Sequence, residues 1–93
     1  MIVAVLSVEL HIYGATSLKD KRMILRGLKD RIGKKFNVSI AEVDYLDKWQ
    51  RSQIGIAQVG KDYSYLEKNI NSIIKILEEN VTFEITNHSV EYL

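Results

Sequence analysis

Lys19, Arg22, Arg26 and Lys29 recur at spacings of three, four and three residues, the interval that gathers side chains along one side of an α-helix. A row of cations like this can neutralise successive phosphates of a nucleic acid, the contact that supplies most sequence-independent affinity. The row sits inside a denser run: residues 17–35 hold eight basic side chains against Asp20 and Asp30, a net charge of +6. The remaining residues carry −5, so a chain of net charge +1 is electrically lopsided. The plainer alternative is a solvated helix face with no partner.

Lys21 belongs to the same run but not to the row, because helical geometry turns it toward the apolar side. An unpaired buried ammonium costs several kcal/mol, so a carboxylate such as Glu9 or Glu42 is its expected partner, with its stem packed on apolar surface. Asp47-Lys48-Trp49-Gln50-Arg51 sets the only tryptophan between two cations. Trp49 with Arg51 suits stacking on a single-stranded base, at ~1 to 3 kcal/mol each, or anchoring in an interface, or folding back over a sheet edge. Glu9, His11 and His88 are the material for a histidine-carboxylate cluster. No metal-ligand spacing such as a His-x-x-x-His pair supports it, so no metal site and no acid-base pair is assigned. Tyr13-Gly14-Ala15-Thr16 leads into a helix start where free amides favour an anion, but one glycine does not make a phosphate loop.

Composition narrows the classes. The 93 residues fit one domain, residues 1–93, with no linker-like stretch, and a chain this size buries somewhat over ~60% of the surface it exposes unfolded. With no cysteine there is no disulfide framework, no thiolate nucleophile and no cysteine zinc site. The apolar opening Ile2 to Leu6 lacks a basic leader and is far shorter than the ~20 residues of a membrane span, which leaves the cytoplasm as the default.

The elements that must position these residues are read from periodicity. Ile2, Ala4, Leu6, Val8, Leu10 and Ile12 share one parity, a strand with one buried face. Ser17 with Asp20 has the capping-box spacing, and Leu18, Ile24, Leu25, Leu28 and Ile32 form the apolar face of a helix ending near Gly33 and Lys34. Phe36 to Tyr45 reads as a second strand whose parity shifts after Ile40, the mark of a bulge or twist. Gln53 to Val59 pairs with it through a hairpin loop, Leu46 to Gln50. Leu66, Ile70, Ile73, Ile74 and Leu77 define a helix from Asp62 to Asn80, with Ser64 and Glu67 at capping-box spacing. Val81, Phe83 and Ile85 alternate with polar residues in a last strand. The order β-α-β-β-α-β predicts an α+β, ferredoxin-like sandwich with two helices on one face of a four-stranded antiparallel sheet. Glu9, His11, Asn37, Ser39 and Gln53 then fall on the face without helices. Acylphosphatases share this order, but their glycine-valine-phenylalanine-arginine turn is not matched by Ser17-Leu18-Lys19-Asp20. RNA-recognition motifs share it too, yet their third-strand aromatics are replaced by Ile54, Gly55, Ile56 and Ala57.

Glu9-Leu10-His11-Ile12, Ser17-Leu18-Lys19-Asp20-Lys21-Arg22, the stretch Phe36 to Val43 and Asp47-Lys48-Trp49-Gln50 resemble the YlxP-like family of small bacterial proteins of unknown function, over nearly the whole chain. The family pattern often has a proline where Tyr13 stands and a glutamate where Asp20 stands; the change leaves a less rigid turn and an unaltered helix start. The resemblance implies a cytoplasmic ferredoxin-like domain with a role near RNA or the ribosome, and supplies no activity, cofactor or catalytic residue. The expectation is a non-enzymatic binding domain, without a cofactor, that meets RNA or a ribonucleoprotein through Lys19, Arg22, Arg26 and Lys29, with Trp49 and Arg51 as a second contact. The alternative is a structural protein that forms a homodimer through its open sheet face.

Overall fold

The chain opens on a strand because apolar residues hold one parity from Ile2 to Ile12, with polar residues on the other from Ser7 onward. In the computed structural model, which describes residues 1–93, β1 (Ile2–Ile12) buries Ala4, Leu6, Val8, Leu10 and Ile12 completely. It is followed by α1 (Leu18–Lys35), β2 (Ser39–Asp44), β3 (Arg51–Gly60), α2 (Tyr63–Glu78) and β4 (Phe83–Tyr92). The sheet order is β2-β3-β1-β4 and every neighbouring pair is antiparallel. This is the ferredoxin-like α+β sandwich expected from the element order.

The central strands β1 and β3 pair from Ile2 with Gly60 to His11 with Arg51 without interruption. Even-numbered residues of both strands face the helices, where they meet Leu25, Leu28 and Ile32 of α1 and Leu66, Ile70, Ile73, Ile76 and Leu77 of α2 in one core. Ile76 was not among the apolar positions read from the sequence, whereas Ile24 and Ile74 lie at the margin, half-buried. No buried side-chain nitrogen or oxygen lacks a hydrogen-bond partner. Gln58 shows how that is achieved. It points into the core from β3, donates to the Asn37 carbonyl at 3.4 Å and accepts from Asn69 Nδ2 at 3.0 Å.

Several local expectations are corrected. β2 starts at Ser39 rather than Phe36, so Asn37 precedes the sheet and does not join the open face. The α2 cap is Asp62, whose carboxylate accepts from the Ser64 amide at 3.0 Å; Glu67 instead accepts from the Tyr63 hydroxyl at 2.9 Å. At α1 the Ser17 hydroxyl does accept from the Asp20 amide, at 3.1 Å, but the Asp20 carboxylate reaches back one residue further, to Thr16. The bulge expected in β2 is present, as a register shift between Glu42 and Asp44. A second one interrupts β1 and β4 between Glu9 and Leu10, leaving Thr86 as the extra residue. No helix is long and apolar enough to cross a membrane.

Candidate nucleic-acid interface and groove

Lys19, Arg22, Arg26 and Lys29 all lie exposed along one flank of α1, beside the face that Leu25, Leu28 and Ile32 turn into the core. Ten residues at a rise of 1.5 Å spread the row over about 15 Å. None of the four joins an ion pair: the molecule has two, Lys21 with Glu42 and Arg51 with Glu9. Two acids adjoin the row, Asp20 beside Lys19 and Asp30 beside Lys29; neither forms an ion pair with it, and Asp20 is bonded chiefly to Thr16. Its Oδ2 accepts from the Thr16 hydroxyl at 2.7 Å and from the Thr16 amide at 3.1 Å, which holds the carboxyl below its ordinary range.

Lys21 is 1% exposed, and its ammonium pairs with Glu42 Oε2 at 2.8 Å, with the Glu42 side chain 15% exposed. The same oxygen accepts from the buried Ser52 hydroxyl at 2.7 Å. The ammonium also donates to the Tyr45 carbonyl at 2.8 Å and lies 3.4 Å from the carbonyls of Leu46 and Arg51. Of the two carboxylates named from the sequence, Glu42 is thus the partner. The consequence is mechanical: one side chain of α1 grips both ends of the β2–β3 loop.

That loop is held from other sides as well. Tyr45 takes a left-handed backbone conformation, φ 59°, a strained choice for a non-glycine residue, and its amide donates to Asp44 Oδ1 at 2.7 Å. The Gln50 side-chain amide donates to the carbonyls of Ala15 and Tyr13 at 3.1 and 3.3 Å, and the Gln50 carbonyl accepts from the Ile12 amide. Within this tied-down loop Trp49 stays 54% exposed rather than folding over the sheet edge.

Trp49 borders a groove of about 690 Å³ at the end of the helix-free face, between the loop and Glu9, His11 and Thr86. The Arg51 guanidinium lies 4.0 Å over the Tyr45 ring and donates to Glu9 Oε1 at 3.1 Å. Thr86 Oγ1 donates to Glu9 Oε2 at 2.9 Å. Thr86 first, then Arg51, holds the Glu9 carboxyl below its usual value, so it is an anion at neutral pH. Arg51 is therefore brought to the groove expected of it, with part of its charge already balanced. The basic row and the groove occupy opposite layers, and only the first turn of α1 adjoins the loop.

Of the histidine and carboxylate residues singled out by type, His11 lines the groove with Glu9, its ring in a tilted pair with Tyr13 at 4.7 Å between centroids, while His88 stands further along β4, exposed and opposite Val8. No group of three histidine or acidic side chains converges as a metal cluster. The sequence reading missed Tyr45 and Thr86. Tyr45 carries no pattern, because its role rests on a backbone angle. Thr86 had a signal: apolar residues of β4 change parity from Phe83 and Ile85 to Val90 and Tyr92, which an inserted residue between them requires.

A family model described as a protein of unknown function, DUF503, matches residues 3–90. The uncharacterized protein YlxP of Bacillus subtilis (strain 168) is 38% identical over 84 residues, 90% of this chain and 91% of that protein. Domain-length coverage of this kind, on a β-α-β-β-α-β sandwich with its basic first helix, places the chain in the DUF503 family of proteins of unknown function, alongside YlxP.

Proposed function

We propose that this protein is a non-enzymatic cytoplasmic domain that binds structured RNA or a ribonucleoprotein such as the ribosome through α1, with the Trp49 loop as a second contact. The observation that carries this reading is the row Lys19, Arg22, Arg26 and Lys29: four exposed cations on one helix flank, none in an ion pair, in a chain whose remaining residues are net negative. Such a field orients the domain on a polyanion and accelerates encounter. Titration of labelled structured RNA at several salt concentrations tests it. Four phosphate contacts give a log-log slope of about −3, and the Lys19, Arg22, Arg26, Lys29 quadruple alanine variant loses that binding. A flat slope, or a quadruple variant that binds as well as the wild type, refutes the reading.

A second reading, self-association into a homodimer, draws on the helix-free face. Val3 and Val5 of β1 lie opposite Val59 and Ala57 of β3, an apolar patch next to Gly55. Sedimentation velocity at high micromolar concentration decides it; a monomer there ends that reading.

A further inference from the structure

We propose that the groove beside Trp49 is a seat for one unpaired nucleobase, so that the domain distinguishes RNA with a single-stranded loop or end from a closed duplex. The inference deepens the nucleic-acid reading of α1, on which it rests for the choice of a base over other planar ligands.

The loop is built to a fixed shape and yet leaves its largest apolar side chain in solvent. Lys21 grips three of its carbonyls from below, Gln50 ties it to the turn before α1, and Tyr45 accepts a strained backbone angle within it. Rigid support under an exposed aromatic ring is what a stacking platform requires, because little conformational freedom is then lost on binding. The cavity, about 690 Å³, falls within the range of ~300 to 1,000 Å³ usual for small-ligand sites.

Its chemistry suits a planar occupant with an apolar face and a polar edge. Trp49 is the one hydrophobic side chain the groove presents, since Leu10 turns its own into the core; a single indole is too little for an apolar peptide side chain but covers one face of a heterocycle. The rim offers both kinds of hydrogen-bonding group. Arg51 gives one N–H to Glu9 and leaves the rest of its fork without a protein partner. Gln50 uses its amide nitrogen on the turn and leaves its oxygen free to accept. Stacked on Tyr45 and tethered to Glu9, the guanidinium is held in one plane, ready to meet the acceptor edge of a base. Lys48, exposed beside the ring, lies where a flanking phosphate would pass.

Trp49 is the single tryptophan, so emission excited at the red edge, beyond the absorption of the five tyrosines, reports this groove alone. The probes are an RNA stem closed by an unpaired loop, the same stem as a blunt duplex, and free adenosine and guanosine monophosphates; anisotropy of end-labelled RNA reads binding independently. The stem-loop should quench Trp49 and bind about tenfold tighter than the duplex, a difference abolished in Trp49→Ala and partly restored in Trp49→Phe. Stem-loop and duplex that bind equally, with Trp49 emission unchanged, overturn the groove assignment and leave the α1 reading standing. Quenching by the free nucleotides with no RNA bound overturns the α1 reading and keeps the groove as a nucleotide site. Unchanged emission with every probe and no anisotropy change removes both.

Discussion

At Lys21 the first helix carries an ammonium group where its apolar stripe calls for a hydrocarbon side chain. Its geometry was legible in the sequence as a misfit, and both Glu9 and Glu42 were open as partners. Only the register of β2 against β3 decides between them, since Glu42 shares the helix-facing side with Ile54 and Ser52. Removing one member of such a pair strands the other charge. Lys21→Met should lose about 3 kcal/mol in urea denaturation, near the low end for buried pairs because Glu42 keeps some solvent. Adding Glu42→Leu should restore much of that loss; strictly additive effects would contradict the pairing. A second residue-scale test concerns the phenols. Tyr13 and Tyr63 are raised above the ordinary value of 10.0 chiefly by hydrogen bonds to Glu84 and Glu67, and Tyr92 chiefly by burial. Because the folded state resists forming these phenolates, their contribution to stability is complete below pH 10 and is lost as pH rises through the raised values. An ultraviolet titration of the five tyrosines should show a late group that returns to ordinary behaviour in denaturant, and Glu84→Gln should bring Tyr13 down. A single transition at the ordinary phenol value would contradict this.

Elements were the most legible level, because their signals are repeated. Six apolar residues on one parity, set against Ser7, Glu9 and His11 in the second half, define β1, and a five-point apolar stripe defines α2. What failed was decided by single contacts. Asp62 outcompetes Ser64 as a cap because its carboxylate reaches the Ser64 amide, and β2 starts only at Ser39, with the Asn37 carbonyl before it accepting from the Gln58 side chain. The junction between β3 and α2 gives a sharp test. A Cβ on Gly60 would lie 3.1 Å from Leu66 Cδ2 and 3.2 Å from Leu66 Cγ, and Leu66 is fully buried with no room to retreat. Gly60→Ala should therefore cost about 1 to 3 kcal/mol by overpacking. Gly27, exposed in the middle of α1, meets nothing within 4 Å, so Gly27→Ala should raise stability by about 0.5 to 1 kcal/mol through helix propensity. Thermal or urea unfolding of the two variants should show opposite signs; the same sign in both would mean that these contacts do not govern the positions.

The whole molecule separates its charge by layer. One helix holds the +6 run, the hairpin end holds a groove with a balanced Glu9–Arg51 pair, and the remaining residues are net negative. The sequence made the run visible, and helical geometry divided it into an outer row and one inward lysine. Nothing in the sequence brought Tyr45, Arg51, Glu9 and Thr86 together, since they come from β1, the β2–β3 loop, β3 and β4 and meet only through two bulged registers. The exposed row on α1, free of ion pairs, is the surface proposed to bind RNA. The most direct measurement is the affinity of the intact protein for a structured RNA across salt concentrations, alongside the Lys19, Arg22, Arg26, Lys29 quadruple alanine variant. The wild type should give a slope of about −3, and the variant should keep little binding. Equal affinity and equal slope in the two proteins would contradict the proposal.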